Sequence, residues 1–218
     1  MKRLIIICEG QTEREFCNDV LQPNFLQKGI HIQAPLIKKS GGGIVKWSVL
    51  KKQIENHLKQ DTTAYVTTFI DYYGLNHKHQ FPVWEAAKAE VNINNRIQLL
   101  EEAMKNEIND ALRYRFIPYI QLHEFEGLLF IDATVFTQNF AAAELLDLAE
   151  LTKTITDYPN PELLNDGKET APSKRLMRLI DGYNKVVYGA MLAEEIGLAK
   201  IREKCLRFDG WLKGLEGI

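Results

Sequence analysis

Acidic side chains come directly after three apolar runs of this chain. Glu9 follows the first run, Asp71 follows a later β-branched and aromatic run, and Glu124 and Glu126 follow another. If these runs are parallel strands of one open sheet, the acids lie beyond the carboxyl ends of the strands, where such sheets bind ligands. A cluster of carboxylates suits Mg²⁺ or Mn²⁺ rather than zinc. The sequence therefore predicts a divalent-metal site, which could polarise a phosphate oxygen and lower the pKa of an attacking water molecule.

Glu13 extends this acidic set, because it lies four residues after Glu9 across a predicted helix start. Like charges at that helical spacing repel, and a divalent cation between them would reverse the sign of the interaction. Gly10 permits a sharp turn that exposes backbone N–H groups to a ligand. The alternative is that both glutamates only complement the helix dipole, which is worth about 0.3–1 kcal/mol.

The acids on the other two strand ends also admit structural roles. Asp71 could form a turn before Gly74, since aspartate is frequent in turns. Glu124 and Glu126 are two residues apart, so in a helical turn they cannot share a face. One of them would point into the site, and the spacing does not say which.

Aromatic and histidine residues near these acids each admit more than one role. Tyr72 and Tyr73 could pack in the core or stack on a nucleic-acid base, and His123 could be a hydrogen-bonded residue at a strand end. His77 and His79 could equally be solvated loop residues, so they are a weak indication of zinc.

Apolar runs alternate with segments of helical periodicity through the first part of the chain. The predicted strands are residues 4–8, 31–37, 64–70 and 115–122. A capping box of Thr12 and Glu15 would start the first helix, and residues 40–43 would form a loop. This alternation predicts an α/β domain with a parallel sheet. Pro118 cannot donate a ladder hydrogen bond, so we expect the fourth strand at or near an edge.

The strand signal stops beyond Asp132. Helical spacing indicates helices at residues 141–151, 173–189 and 198–206, with a stretch rich in Pro, Asn and Asp at 157–172. The sequence therefore predicts a domain of residues 1–132 and an appended helical C-terminal lobe of residues 133–218.

Composition indicates a globular protein of a reducing compartment. The chain has 218 residues, of which 45% are hydrophobic, and this is enough for a full core. A net charge of −2, from 27 basic and 29 acidic residues, does not by itself indicate nucleic-acid binding, although an acidic site would offset local basic patches. Cys8, Cys17 and Cys205 fit no ligand spacing, so we expect a cytoplasmic protein. The first apolar stretch, Leu4 to Cys8, is too short for a signal peptide or a membrane span.

Several motifs resemble the signatures of an uncharacterised bacterial Toprim-like family. They are Glu9-Gly10-Gln11-Thr12-Glu13, Asp71-Tyr72-Tyr73-Gly74-Leu75 and His123-Glu124-Phe125-Glu126. In the C-terminal part, Pro172-Ser173-Lys174-Arg175 and the segment from Cys205 to Leu212 also resemble that family. The resemblance covers nearly the whole chain, and the combination is more specific than any single motif.

Toprim domains occur in topoisomerases, primases and OLD-type nucleases, and the resemblance implies their Rossmann-like parallel-sheet fold. Their hallmark is a Glu after the first strand and Asp-x-Asp after the third, which hold Mg²⁺. Glu9 and Asp71 match the first two acids, and Glu13 is similar to a second Glu of OLD-type members. The resemblance therefore implies two metal ions and phosphodiester hydrolysis. Tyr73 stands where the second Asp is expected, so Glu124 or Glu126 would have to replace that carboxylate.

Three sets of residues have predicted roles. The predicted ligands of Mg²⁺ or Mn²⁺ are Glu9, Glu13, Asp71, Glu124 and Glu126. The predicted catalytic residues are Glu9, Asp71, Glu126, Lys174 and Arg175. The predicted substrate contacts are Gly10, Tyr73, His123, Lys174, Arg175 and Arg178. The three basic residues would contact phosphates, or they would form only a solvated helix face.

Two functions are consistent with these residues. The first is a Toprim-type nuclease that uses Mg²⁺ or Mn²⁺ to hydrolyse DNA or RNA, and the resemblance implies phage defence with an ATPase partner of the ABC or AAA type. The alternative is a catalytically degenerate adaptor or sensor that binds nucleic acid or the ATPase without cleavage, which Tyr73 favours. A small-molecule phosphatase with Asp71 as nucleophile fits less well, because Tyr73 cannot act as a second acid.

Overall fold

The computed structural model describes residues 1–38, 43–164, 167 and 170–218. The strands are β1 (Lys2–Cys8), β2 (Ile30–Gln33), β3 (Tyr65–Asp71), β4 (Phe116–Ile117) and β5 (Ile120–Gln121). The helices are α1 (Gln11–Phe16), α2 (Gln22–Leu26), α3 (Trp47–Gln60), α4 (Trp84–Ala89), α5 (Ile93–Glu107), α6 (Asp110–Arg113), α7 (Ala133–Asn139), α8 (Leu148–Asp157), α9 (Pro172–Leu179), α10 (Lys185–Ile196), α11 (Leu198–Lys204) and α12 (Leu206–Glu216). Most of the predicted loop at 40–43, and four residues of the predicted stretch at 157–172, lie outside the described ranges.

The strands form a parallel sheet in the order β2-β1-β3-β4, and β5 also pairs with β3. The side chains of β1 alternate between two cores: Leu4 and Ile6 face one, and Ile5 and Ile7 face the other. Burial on both faces explains why β1 reads as an unbroken apolar run rather than an alternating one. The predicted α/β class with a parallel sheet is confirmed.

The fourth predicted strand is split into two short strands around Pro118. At the break, the backbone N–H of Tyr119 donates to Thr68 Oγ1 at 3.0 Å, and that hydroxyl donates to the carbonyl of Tyr119 at 2.8 Å. A side chain of β3 therefore replaces the ladder bonds that are missing at the break. β4 is at the end of the strand order, as the proline predicts.

Helices cover both faces of the sheet. On one face α3 buries Trp47, Leu50, Ile54 and Leu58, the four positions that recur at helical spacing. On the other face α1 packs with α10 and α12 in a core that also contains alternate residues of β1. Within α12, Trp211 donates its indole N–H to Thr67 Oγ1 of β3 at 2.9 Å.

The C-terminal helices therefore pack directly on the sheet, and their side chains share one core with it. The domain boundary between residues 132 and 133 stays a prediction. Across the described ranges, no helix combines the length and the apolar character that a membrane crossing requires.

Several predicted helix bounds are wrong. The first helix is capped at Gly10 rather than Thr12, and a π-helical turn at Cys17–Leu21 continues it. The helix predicted at 141–151 begins only at Leu148, because Asp147 Oδ1 accepts from the backbone N–H of Glu150. The helices predicted at 173–189 and 198–206 are each interrupted, the first between Leu179 and Lys185 and the second at Cys205.

Candidate acidic site at the carboxyl ends of the strands

Glu9 and Asp71, the first residue after β1 and the last of β3, are directly connected. Glu9 Oε2 accepts a hydrogen bond from the backbone N–H of Asp71 at 3.0 Å. Asp71 Oδ1 in turn accepts from the backbone N–H of Phe125 at 3.1 Å, in the segment that follows β5. Three chain segments distant in sequence are thus linked at one edge of the sheet, as the strand-end pattern predicts.

Glu13 folds back over the turn that starts α1. Its Oε2 accepts from the backbone N–H of Gly10 at 2.8 Å, and the side chain is only 5% exposed. A Cβ atom at position 10 would lie 2.9 Å from the same carboxylate oxygen. A larger residue at position 10 would therefore require the Glu13 side chain to shift from its place on the same turn as Glu9.

Glu124 and Glu126 flank the start of a 3₁₀ helix at Phe125–Leu129. Glu126 is 2% exposed, whereas Glu124 is partly buried and its Oε2 accepts from the backbone N–H of Ser173 at 2.9 Å. Both carboxylates raise the pKa of Asp71, so both lie within electrostatic reach of the strand-end acids. We refer to Glu9, Glu13, Asp71, Glu124 and Glu126 as the acidic site.

Burial and mutual repulsion raise the pKa of several of these groups. Removal from water is the largest cause for Glu9, whose pKa is raised to about 7, and the charge of Glu13 raises it further. Burial likewise raises the pKa of Glu126 to about 7. The pKa of Asp71 is well above its usual value, because it is desolvated and surrounded by the other acids. Crowded and desolvated carboxylates of this kind are stabilised by positive charge, either as protons bound near neutral pH or as a cation that displaces them.

Lys185 is a residue of this site that the sequence interpretation missed. Its pKa is raised, because the charges of four carboxylates outweigh the lowering effect of partial burial: Glu126, Glu13, Asp71 and Glu124. Lys185 is the first residue of α10, and the preceding Asn184 Oδ1 accepts from the backbone N–H of Val186 at 3.0 Å. That capping asparagine was the available signal, and the prediction of one continuous helix at 173–189 obscured it.

Tyr183 contributes a buried hydroxyl beside the acidic site. The residue is 8% exposed, and its hydroxyl has no hydrogen-bond partner among the described residues. Burial is the main cause of its raised pKa, and the charges of Glu126 and Glu124 add to it. The neutral hydroxyl of Tyr183, which donates to no described residue, therefore lies within electrostatic reach of two carboxylates.

Close packing between α1 and α10 brings Lys185 to the acids. Thr12 Oγ1 lies 3.5 Å from the backbone carbonyl of Lys185. One turn further along α10, a Cβ atom at Gly189 would lie 2.5 Å from Thr12 Cγ2. Only glycine at position 189 allows this approach of the two helices.

The chain after β3 borders the acidic site. Tyr73 donates its backbone N–H to the carbonyl of His123 at 2.9 Å, and its side chain is 37% exposed. Tyr72 is buried, and its hydroxyl accepts from Arg96 Nη1 at 3.3 Å. A Cβ atom at Gly74 would lie 3.5 Å from Glu9 Oε1. The two tyrosines are therefore divided between core and surface.

The predicted histidines have local roles. Burial, followed by the charge of Arg96, lowers the pKa of His123 to about 4, so this side chain is neutral at physiological pH. His123 also adopts a left-handed conformation with φ of 65°. His77 and His79 form a 3₁₀ turn, in which His79 Nδ1 accepts from the backbone N–H of Asn76 at 3.2 Å.

Comparison with known families supplies one assignment. The family model described as a domain of unknown function, DUF4276, matches residues 8–216. The chain belongs to the DUF4276 family. Among curated proteins and among solved structures, no significant match was found. The whole acidic site, together with Tyr183 and Lys185, lies within the DUF4276 match.

The basic residues predicted to contact phosphates are mostly engaged elsewhere in this DUF4276 domain. Arg178 forms a two-pronged ion pair with Glu150, and its Nη1 lies 2.6 Å from Glu150 Oε2. Arg175 is buried, donates from Nε to the carbonyl of Thr170 at 2.9 Å, and has its Nη1 3.8 Å from Glu150 Oε1. Lys174 is exposed on α9. The two arginines are thus engaged in ion pairs with α8. Lys185, in contrast, lies within electrostatic reach of the acids.

The donor chemistry of the acidic site fits a hard divalent cation. Its side chains are all carboxylates, and four of them use one oxygen to accept a backbone N–H, which leaves the second oxygen outside these bonds. Across the described residues, no group of three or more His, Cys, Asp or Glu side chains is arranged to hold a metal ion. A cation would therefore require the second oxygens to converge further, and the orphaned hydroxyl of Tyr183 is consistent with a missing polar ligand.

Proposed function

We propose that this protein is a metal-dependent nuclease that hydrolyses phosphodiester bonds at the acidic site. The observation that carries the proposal is the hydrogen bond between the Glu9 carboxylate and the backbone of Asp71, because it joins the acids of two strand ends. Desolvated carboxylates of raised pKa in a cluster are typical of functional sites. Their accumulation destabilises the fold unless a cation compensates.

In this proposal, Glu9, Glu13 and Asp71 hold Mg²⁺ or Mn²⁺, together with Glu126 or Glu124. The buried position of Glu126 favours it over Glu124, whose carboxylate is already bonded to Ser173. When bound, the cation would supply Lewis-acid polarisation of a phosphate oxygen and a lowered pKa of an attacking water molecule.

The side chains themselves contribute charge and proton transfer. Lys185 supplies positive charge toward the phosphate, the role that the sequence interpretation gave to Lys174 and Arg175. Where Glu124 completes the ligand set instead, Glu126, whose pKa is raised to about 7, can exchange a proton close to neutral pH, which suits a group that takes a proton from water or returns one to the leaving oxygen.

The finer classification is also part of the proposal. Strand-end acids on a parallel sheet support a relationship to Toprim domains and OLD-type nucleases, with Glu13 as the second glutamate. Tyr73, at the position of the second hallmark Asp, is partly exposed and supplies no carboxylate, so Glu126 or Glu124 would take that role. The same resemblance proposes DNA or RNA as substrate, an ABC- or AAA-type ATPase as partner, phage defence as process, and the cytoplasm as location.

The test is a cleavage assay on the full chain with fluorescent single-stranded DNA, single-stranded RNA and duplex DNA, in Mg²⁺ or Mn²⁺. We expect metal-dependent cleavage by the wild type, and a loss of about 100-fold or more in Asp71→Asn and Glu13→Gln, as is usual when one group that stabilises the transition state is removed. Glu15→Gln is the matched control, because this acid lies on α1 and pairs with Arg14 outside the acidic site. Cleavage that survives in Asp71→Asn would rule out the acidic site as the active centre.

A second function is favoured by one specific observation. The charges of four of the carboxylates raise the pKa of Lys185, so a basic side chain lies within electrostatic reach of the acidic site without a metal. An adaptor or sensor that binds nucleic acid or an ATPase without cleavage would use the site in that form. Absence of any shift in Tm with Mg²⁺ or Mn²⁺, together with retained nucleic-acid binding, would favour this function over the nuclease.

A further inference from the structure

Tyr183 carries a hydrogen-bond donor for which no described residue is an acceptor. The residue is only 8% exposed, and its hydroxyl has no hydrogen-bond partner among the described residues. Leaving a buried polar group unsatisfied destabilises a protein, so such groups are rare and call for an explanation. The chain satisfies another buried tyrosine: Tyr119 donates to Gln121 Oε1 at 2.6 Å.

The position of Tyr183 directs this donor toward the acidic site. The helix that begins two residues later, α10, packs against the segment that carries Glu124 and Glu126: a Cβ atom at Gly189 would lie 3.4 Å from Phe125 Cε1. After burial, the charges of these two acids raise the pKa of the Tyr183 hydroxyl, and they act on Lys185 as well. The ring is stacked on Tyr188 with centroids 5.9 Å apart, and this contact fixes its orientation. The hydroxyl of Tyr183 and the amine of Lys185 therefore approach the acidic site from the same segment of chain.

We propose that the Tyr183 hydroxyl donates a hydrogen bond to an anionic oxygen of a phosphate group bound at the acidic site. This inference rests on the proposed function, because it assumes that the site takes a phosphate together with a divalent cation. The carboxylates beside the hydroxyl are acceptors, but none of them is within hydrogen-bond distance of it in the part of the chain that the structure describes. A phosphate oxygen that enters between them would satisfy the donor, and Lys185 would supply the second positive contact.

The experiment compares Tyr183→Phe with two matched variants of the full chain. Affinity for thymidine 5′-monophosphate is measured in Mn²⁺, with thymidine as the ligand that lacks a phosphate, and Tm is measured with Mn²⁺ alone and without metal. Tyr188→Phe alters the neighbouring ring without touching the orphaned hydroxyl. Tyr119→Phe removes a hydroxyl that has an internal partner.

We expect Tyr183→Phe to lose about tenfold or more in affinity for the nucleotide, the loss typical of a hydrogen bond to a charged group. Its metal-free Tm should equal or exceed that of the wild type, because no internal hydrogen bond is broken, and its response to Mn²⁺ alone should be unchanged. Tyr188→Phe should bind the nucleotide normally, and Tyr119→Phe should lower the metal-free Tm. Thymidine should show no dependence on Tyr183.

Either of two results with Tyr183→Phe would overturn the inference. One is an affinity for the nucleotide equal to that of the wild type, and the other is a fall in metal-free Tm like that of Tyr119→Phe. Failure of the wild type to bind the nucleotide in Mn²⁺ would overturn it as well. The inference and the proposed function fail separately. If nucleotide binding depends on Tyr183 but no nucleic acid is cleaved, only the nuclease proposal is wrong. If nucleic acid is cleaved at the same rate by Tyr183→Phe and the wild type, only the inference about Tyr183 is wrong.

Discussion

The carboxylate of Glu9 accepts a hydrogen bond from the backbone N–H of Asp71 at 3.0 Å, although the two residues are 62 positions apart in sequence. This bond runs from the end of one central strand to the end of its neighbour, since β1 pairs in parallel with β3. Strands in parallel register bring their carboxyl ends to the same edge, so acids placed there must meet. The proximity of Glu9 to Asp71 is the geometric condition on which a shared cation depends.

Glu9→Gln should stabilise the metal-free protein at pH 8 and abolish the rise in Tm that Mn²⁺ induces. The amide oxygen of glutamine can still accept from Asp71, whereas the buried charge is removed. A pKa raised from 4.5 to about 7 sets an upper limit of about 3 kcal/mol on the gain in unfolding free energy. Differential scanning fluorimetry with and without Mn²⁺ measures both effects, with Glu15→Gln as the control. A Glu9→Gln protein that keeps the full Mn²⁺ shift would exclude Glu9 as a ligand.

The metal-free protein should lose stability as the pH rises from about 5 to about 8. Glu9 and Glu126 have pKa values raised from 4.5 to about 7, so the folded state binds more protons than the unfolded state in this window. Stability is therefore present below the unfolded pKa and is lost as the pH passes through the folded pKa.

Urea denaturation in EDTA across this pH range measures the effect. Other groups also titrate, so the informative quantity is the difference between the wild type and the double variant Glu9→Gln, Glu126→Gln. The double variant should show a flatter decline than the wild type. Parallel pH profiles for the two proteins would mean that these acids titrate alike in the folded and unfolded chains.

Gly189→Ala should destabilise the protein and impair its nucleic-acid cleavage together. The added Cβ would lie 2.5 Å from Thr12 Cγ2, so α10 must move away from α1 and carry Lys185 away from the acids. Overpacking of this kind costs about 1–3 kcal/mol. Gly214→Ala is the matched control, because a Cβ at that position on α12 meets no atom within 4 Å.

The control should change stability in the opposite direction, since alanine is a better helix former than glycine by about 1 kcal/mol. Thermal unfolding and the cleavage rate at saturating metal report the two effects. A Gly189→Ala protein as stable and as active as Gly214→Ala would show that α1 and α10 tolerate a wider separation.

The sequence was sufficient for the sheet and for the acids at its edge, because both follow from local patterns. A strand buried on both faces is largely apolar, and β1 shows this from Leu4 to Cys8. β3 shows it apart from Thr67 and Thr68, whose buried hydroxyls are hydrogen-bonded. Acids at the ends of such strands then share an edge through topology alone. Tyr183 and Lys185 were not predictable in the same way, because their roles depend on how α10 packs against α1. A break after Leu179, in what reads as one helix, determines that packing.

The basic residues of α9 show the converse limit. Arg175 is the last residue of a family-like motif and Arg178 follows three residues later, and their charge suggested phosphate contacts. The structure pairs both with Glu150, which lies in the first turn of α8 and far from them in sequence. Charge spacing along one helix carries no information about an acid on another helix.

Lys185→Gln should weaken nucleic-acid binding and flatten its dependence on salt, whereas Arg178→Gln should leave the salt dependence unchanged. A lysine that contacts a phosphate releases a counterion, so its removal should reduce the slope of log K against log salt by about 0.7–0.9. Arg178 is already paired with Glu150, so its loss should act only on stability, by about 1 kcal/mol or less.

Fluorescence anisotropy with a labelled oligonucleotide, over a series of salt concentrations in Ca²⁺, measures both slopes. Ca²⁺ is used because it binds the same hard oxygen ligands as Mg²⁺. Removal of Lys185 should also raise affinity for the metal alone, because a positive charge within electrostatic reach of four of the acids would no longer repel the cation. These opposite changes separate a phosphate contact from a structural ion pair, since a purely structural lysine would weaken metal and nucleic-acid binding together. Equal slopes for Lys185→Gln and the wild type would remove Lys185 from the substrate site.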